Sequence, residues 1–177
     1  MNSLQVRRLT YAALCLALAM VLPFLTGQIP EIGSMLSPMH IPVLLCGFLC
    51  GWPWGLAVGF IAPLLRSVLF GMPPMFPGAV SMAFELATYG AFSGWLRRVL
   101  PRTNPMVYVI LIVSMIAGRV VWGIARLILA GLSGNTFAWS AFIAGAVTNA
   151  IPGIILHIVL IPVLVIVLER AGLSLNK

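Results

Sequence analysis

Long apolar segments separated by short polar or Gly/Pro-rich breaks form the main pattern of this chain. Most of these segments reach the length of a helix that crosses a bilayer, about 20 residues. The pattern predicts helices at about residues 8–26, 39–51, 54–70, 78–96, 105–132 and 137–168. We therefore expect an all-α integral membrane protein, built as a bundle of six transmembrane helices in a single domain that covers residues 1–177.

Prolines and basic residues mark the predicted breaks. The Trp52-Pro53 pair is expected to separate the second and third helices by a tight turn. The three prolines within residues 71–77 remove backbone donors and fix φ, so this segment should form a structured apolar loop. A basic turn at residues 97–102 should separate the fourth and fifth helices.

Composition supports the membrane assignment. Apolar residues make up 62% of the chain and charged residues 7%, whereas a soluble domain carries roughly 25% charged residues. A net charge of +7 would suggest nucleic acid as a partner of a soluble protein. Here the basic residues lie mostly at the ends of apolar segments, which indicates that the partner is the lipid bilayer and not nucleic acid.

The basic residues also predict an orientation. Six crossings place both termini on the same side as the basic turn at residues 97–102, and the other side collects no Lys or Arg. The positive-inside rule then predicts a multi-pass protein of the plasma membrane with both termini in the cytoplasm. The basic residues on the predicted cytoplasmic side are Arg7, Arg8, Arg97, Arg98, Arg102, Arg170 and Lys177.

Four ionisable residues lie within predicted helices: Arg66, Glu85, Arg119 and Arg126. A charge at the bilayer centre costs at least ~2.5–3.5 kcal/mol on insertion scales, so such residues normally face a bundle interior or a cavity. One carboxylate cannot neutralise three guanidiniums, and the surplus favours an anionic ligand, because Arg binds carboxylates through two donors. The alternative is that Arg66 and Arg126 reach outer-leaflet phosphates. Arg119 would then pair with Glu85 for structural reasons alone.

Three further residues are candidate ligand contacts. His40 begins the second helix and could donate to a ligand carbonyl or carboxylate, although a lone histidine is often a structural group. Trp139 could stack on a ligand. Asn149 has glycines four residues to either side, so its amide could serve a site or hold two helices together. His157 has only apolar neighbours in sequence and is expected to be structural.

No catalytic or metal-binding pattern occurs in the sequence. It contains neither a Walker A loop nor an HExxH or GxSxG motif, so the chain is expected not to be an enzyme. Cys15, Cys46 and Cys50 fall inside apolar segments and are expected to be packing residues. Ala13 and Ala17, four residues apart, form a small-residue strip that allows another helix to pack closely, either within this chain or on a partner.

The whole pattern resembles the substrate-binding S components of energy-coupling factor (ECF) vitamin transporters. The residues that carry the resemblance are MHIPV at 39–43, GFLCGWPWG at 47–55, GMPP at 71–74 and FELATYG at 84–90. The resemblance implies an outward-facing site closed by the loops between helices 1 and 2, 3 and 4, and 5 and 6. It also implies three partner subunits, a transmembrane coupling protein and two cytoplasmic ATPases that use ATP, with no cofactor in this chain.

In that family, alanines at the spacing of Ala13 and Ala17 dock the coupling protein. The ligand would be a vitamin, and the excess of arginine favours an acidic one such as pantothenate. Riboflavin, hydroxymethylpyrimidine or another precursor is an alternative ligand. The competing class is a membrane protein without transport activity, or a small channel.

Overall fold

A computed structural model describes residues 3–26, 36–132 and 151–176. These ranges form six α-helices and contain no strand, which confirms the all-α prediction. A 3₁₀ turn, Leu22–Thr26, extends the first helix. The helices are α1 (Ser3–Val21), α2 (His40–Cys50), α3 (Trp52–Phe70), α4 (Val80–Val99), α5 (Asn104–Leu132) and α6 (Ile151–Arg170).

Several of these helices are suited to a membrane. Within the described ranges, four segments are long and apolar enough to cross a bilayer: Ser3–Leu25, Trp52–Phe70, Asn104–Leu132 and Ile151–Arg170. Helix α2 has 11 residues, so at 1.5 Å per residue it covers only about half of a ~30 Å hydrocarbon core. The protein is thus a multi-pass membrane protein, whereas six separate crossings and cytoplasmic termini stay predictions.

The turn between α2 and α3 lies one residue earlier than expected. Gly51 makes the break, with φ 97° and ψ 170°, a conformation that glycine adopts without steric cost. Trp52 and Pro53 instead start α3. Proline is tolerated there because an N–H in the first helical turn has no intrahelical acceptor to lose.

The proline-rich connection between α3 and α4 is ordered. Gly71 ends α3 in the left-handed region, with φ 70°. A wide turn at Met75–Ala79 then leads into α4, and Phe76 within it is extended. The backbone N–H of Ala79 donates to the carbonyl of Pro74, so the connection enters α4 in a defined direction.

Glycines allow α2, α3 and α4 to pack backbone against backbone. A Cβ added to Gly90 of α4 would overlap the carbonyl of Gly55 in α3, and a Cβ on Gly55 would overlap the carbonyl of Gly90. Gly59, one turn further along α3, meets the carbonyl of Leu86 in the same way. This close contact sets the rotation of α4 and thereby the direction in which its polar side chains point.

We expect Gly90→Ala to destabilise the protein, because the new methyl group must push α3 and α4 apart, and overpacking of this kind costs about 1–3 kcal/mol. Gly131→Ala is the matched control: it lies in α5 with no atom near the added Cβ, and alanine favours a helix by roughly 0.5–1 kcal/mol over glycine. Thermal unfolding in detergent should show a loss for the first variant only. Equal behaviour of the two would contradict the packing described here.

The C-terminal segment, residues 173–176, folds back onto one end of the bundle. The backbone N–H of Leu175 donates to the carbonyl of Leu49, 2.7 Å away. Arg8 of α1 donates through Nε (3.2 Å) and Nη2 (2.6 Å) to the carbonyl of Leu175. The side-chain amide of Asn176 donates to the carbonyl of Gly94, 2.9 Å away. The segment therefore ties α1, α2 and α4 together at this end.

Two other arginines lie at the same end, which we call the basic end. Arg97 of α4 forms a two-contact ion pair with Glu169 of α6, and Arg102 donates to the backbone carbonyl of Asn176. Together with Arg8, they are three of the seven basic residues that the charge pattern predicts on one side of the membrane. The side that this end faces in the cell stays a prediction.

Candidate functional site

A buried carboxylate lies in the half of the bundle away from the basic end. Glu85 of α4 is only 1% exposed. Its Oε1 accepts a hydrogen bond from the hydroxyl of Tyr89 (2.8 Å) and lies 3.2 Å from Nη1 of Arg119 and 3.7 Å from Nε2 of His40. The carboxylate thus draws polar groups from α2, α4 and α5 to one point, and its charge is balanced by Arg119.

Local geometry brings these groups together. Glu85 and Tyr89 are four residues apart, so they share one face of α4. Opposite them, Gly118 of α5 has no side chain, and a Cβ there would overlap the Tyr89 ring. The ring can therefore lie against α5 while its hydroxyl points back to the carboxylate. Arg119, the next residue of α5, reaches the same carboxylate.

Two histidines complete this group on the side of α2 and α6. The rings of His40 and His157 stack with centroids 5.8 Å apart and an angle of 24° between their planes, and the His40 ring is 5.3 Å from that of Tyr89. Both histidines are buried, at 4% and 3% exposure. We call His40, Glu85, Tyr89, Arg119 and His157 the Glu85 cluster.

Arg126 extends the positive charge of the cluster along α5. The guanidinium carbons of Arg119 and Arg126 lie 5.7 Å and 5.4 Å from the ring centroid of Trp122, within the range of cation–π contacts. Among ion pairs between described residues, Glu85 balances Arg119 and none includes Arg126. The described part of the site therefore holds two guanidiniums and one carboxylate.

Arg66 lies apart from the cluster. Its Nη1 donates to the carbonyl of Met20, 2.7 Å away, and its guanidinium carbon is 5.2 Å from the ring centroids of both Phe24 and Phe70. These contacts hold the end of α1 against α3. The structure thus brings together His40, Glu85, Arg119 and Arg126 and leaves Arg66 at another place. Trp139 and Asn149 lie outside the described residues.

The alanine strip of α1 faces away from the bundle. Ala13 and Ala17 are exposed, whereas Ala12, Cys15 and Ala19 turn inward and are buried. Cys15 packs there in a core cluster with Cys46 and Cys50 of α2. The outward position of the strip fits contact with lipid or with another chain, and docking of a coupling protein stays a prediction.

Two members of the cluster, His157 and Tyr89, were not identified as site residues from the sequence. His157 was expected to be structural because its neighbours along the chain are apolar, yet its contact with His40 is made through space. Tyr89 lies one turn from Glu85 on α4, and the position of its ring depends on Gly118, which carries no chemical group that a sequence pattern could reveal. Depth gave no signal either, because His157 lies 20 residues into the predicted helix at 137–168, whereas Glu85 lies seven residues into the predicted helix at 78–96.

Comparison with protein families gave one match. The family model described as "ECF transporter, substrate-specific component" matches residues 7–165, which is well over half of the chain and includes the entire Glu85 cluster. Comparison with curated proteins and with solved structures gave no match.

Proposed function

The chain belongs to the substrate-specific components of ECF transporters, and from this membership we propose that it is the substrate-binding subunit of an importer for a vitamin or a related small molecule. Its role would be to bind the transported molecule, since the substrate-specific components are not a class of enzymes. Energy would come from ATP hydrolysed by two cytoplasmic ATPase subunits and passed on by a transmembrane coupling protein.

The Glu85 cluster is the observation that carries this proposal. Its five side chains come from α2, α4, α5 and α6, which are separate in sequence, and they meet away from the basic end. A charged residue inside a membrane bundle is costly and usually marks a functional site. A cluster of this kind near one end of the bundle is suited to a ligand that enters from the side opposite the basic residues.

We further propose that the ligand is an anion. Arg119 is 24% exposed in its side chain, so it can reach a ligand while it stays paired with Glu85. Arg126 contacts the same Trp122 ring as Arg119. It supplies a second guanidinium, which has no carboxylate partner among the described residues. Pantothenate is an acidic vitamin and is therefore one compound of the panel below, where it is compared with other acids.

Titration calorimetry on the chain purified alone in detergent tests this proposal. The panel contains four acids (pantothenate, biotin, nicotinate and lipoate) and two neutral compounds (riboflavin and hydroxymethylpyrimidine). We expect one of the acids to bind without any partner subunit. Tight binding of a neutral compound, with no heat from any acid, would contradict the anion proposal.

Arg126→Gln should weaken binding of that acid by about 1.5–3 kcal/mol, the range for a hydrogen bond to a charged group. Arg66→Gln is the matched control, because it removes the same charge in the same half of the bundle but from a residue held by α1 and α3. We expect the control to lower thermal stability and to leave the affinity unchanged. If Arg126→Gln has no effect on the affinity, that arginine serves lipid contact.

A further inference from the structure

We propose that His40 and His157 form a polar subsite for a hydroxyl or amide group of the ligand, so that the substrate is an acid that also carries such a group. This inference rests on the proposed function and specifies the class of substrate. The anionic group would lie at Arg119 and Arg126, and the hydroxyl or amide would lie at the histidine pair.

The first support is a local shortage of hydrogen-bond partners. In the described part of the chain, five buried side-chain polar atoms have no partner, and three of them are nitrogens of these two rings: Nδ1 and Nε2 of His40 and Nε2 of His157. A buried polar atom without a partner costs roughly 1–3 kcal/mol. Concentration of three such atoms at one point indicates a place where another molecule supplies the partners.

The second support is that the neighbouring groups already satisfy one another. The hydroxyl of Tyr89 donates to Glu85, and Arg119 pairs with the same carboxylate oxygen. His40 Nε2 lies 3.7 Å from that oxygen, which is beyond the usual 2.7–3.2 Å of an N–H···O hydrogen bond. Glu85 is thus within ion-pair distance of His40 Nε2 only, and Nδ1 of His40 and Nε2 of His157 remain for a ligand.

The third support concerns the type of group that fits. The ring of His157 hydrogen bonds to the backbone of Ser37, and because Nε2 has no partner, this bond is made by Nδ1. An Nδ1 that donates to a carbonyl leaves Nε2 with a lone pair, which requires a donor from the ligand. A neutral His40 offers one donor and one acceptor. A hydroxyl or an amide, which both donates and accepts, can satisfy the two rings together.

The acids of the calorimetry panel test this subsite. Biotin and lipoate carry the same five-carbon acid chain, but the ring of biotin has two N–H donors and that of lipoate has none. Pantothenate has hydroxyl and amide donors, whereas nicotinate has no donor besides its acid group. We expect the acid that binds to be pantothenate or biotin, and we expect lipoate and nicotinate to bind at least about 10-fold more weakly, as loss of a hydrogen bond to a buried group implies.

Variants of His157 then test the role of its Nε2. His157→Phe keeps a ring against His40 but removes the acceptor, and should weaken binding of the donor-bearing acid about 10-fold. His157→Gln places a polar atom near the position of Nε2 and should keep most of the affinity. Ser114→Ala, which removes a buried hydroxyl bonded within α5, serves as the control. His40→Gln gives a second measure of the subsite if His157→Phe folds poorly.

The outcomes are distinguishable. If no acid binds, the proposal that the ligand is an anion is wrong, and the histidine subsite proposed here is wrong with it. If lipoate or nicotinate binds as tightly as the donor-bearing acids, the anion site stands and the histidine subsite is wrong. The same holds if His157→Phe leaves the affinity unchanged, since the unpartnered nitrogens would then be served by a buried water only.

Discussion

Ala13→Trp or Ala17→Trp is expected to abolish uptake and co-purification with the coupling protein while ligand affinity stays nearly unchanged. Both alanines are exposed on α1, and the Glu85 cluster lies on other helices. An indole at this strip would hold two helices several ångströms further apart and remove packing contacts, which supply much of the association energy of helices in lipid. Cellular uptake assays, co-purification and calorimetry measure the three quantities.

The neighbouring alanines provide the matched control for this experiment. Ala12 and Ala19 face the core of the bundle and are buried. Ala12→Trp or Ala19→Trp should therefore lower thermal stability and ligand affinity together, because the indole has no space within the bundle. If Ala13→Trp shows that same joint loss, the strip packs inside this chain and its docking role is rejected.

Glu85→Gln is expected to destabilise the protein by about 2–3 kcal/mol, because removal of one partner leaves the other charge uncompensated. We place this below the ~3–5 kcal/mol of a fully buried pair because Arg119 is partly exposed. Loss of the charged acceptor also weakens the hydrogen bond from Tyr89. Thermal and denaturant unfolding in detergent measure the effect. Glu169→Gln, which removes the partner of Arg97 at the basic end, is the comparison variant.

A double-mutant cycle isolates the ion pair from the rest of the cluster. The combined variant Glu85→Gln with Arg119→Gln should lose clearly less stability than the sum of the two single variants, since residues in direct contact show interaction energies of about 0.5–3 kcal/mol. Glu169→Gln should lower stability without changing ligand affinity, because it lies at the other end of the bundle. Strict additivity of the Glu85 and Arg119 variants would show that the two charges do not interact.

Several helix ends within the described ranges could be placed from the sequence to within a few residues, because glycine and proline restrict where a helix can begin and end. The first helix begins at Ser3, five residues before the predicted start, and the predicted start of the last helix, residue 137, lies outside the described residues. The second predicted helix, residues 39–51, corresponds to α2 at His40–Cys50. The break assigned to Trp52-Pro53 was one residue late because a proline is accepted in the first turn of a helix, and Gly51 makes the turn.

The candidate site was only partly predictable. The pairing of Glu85 with Arg119 could be predicted only as one of two alternatives, because a charge in an apolar helix normally faces the bundle interior or a cavity but its partner there is not fixed by the sequence. Arg66 shows the limit of this reasoning: the sequence gives the depth of a residue along its helix but not the rotation of that helix against its neighbours. Backbone contacts between glycines, such as Gly55 with Gly90, set that rotation in three dimensions.

Native mass spectrometry of the chain purified alone, in mild detergent and without added ligand, tests the central claim most directly. We expect a bound small molecule that is released on activation and carries an acidic group, because a preformed site with surplus guanidinium charge needs no ATP to capture an anion. Arg126→Gln should reduce the occupied fraction, and Arg66→Gln should not. A protein that carries only phospholipid, or a released ligand without an acidic group, would contradict the account.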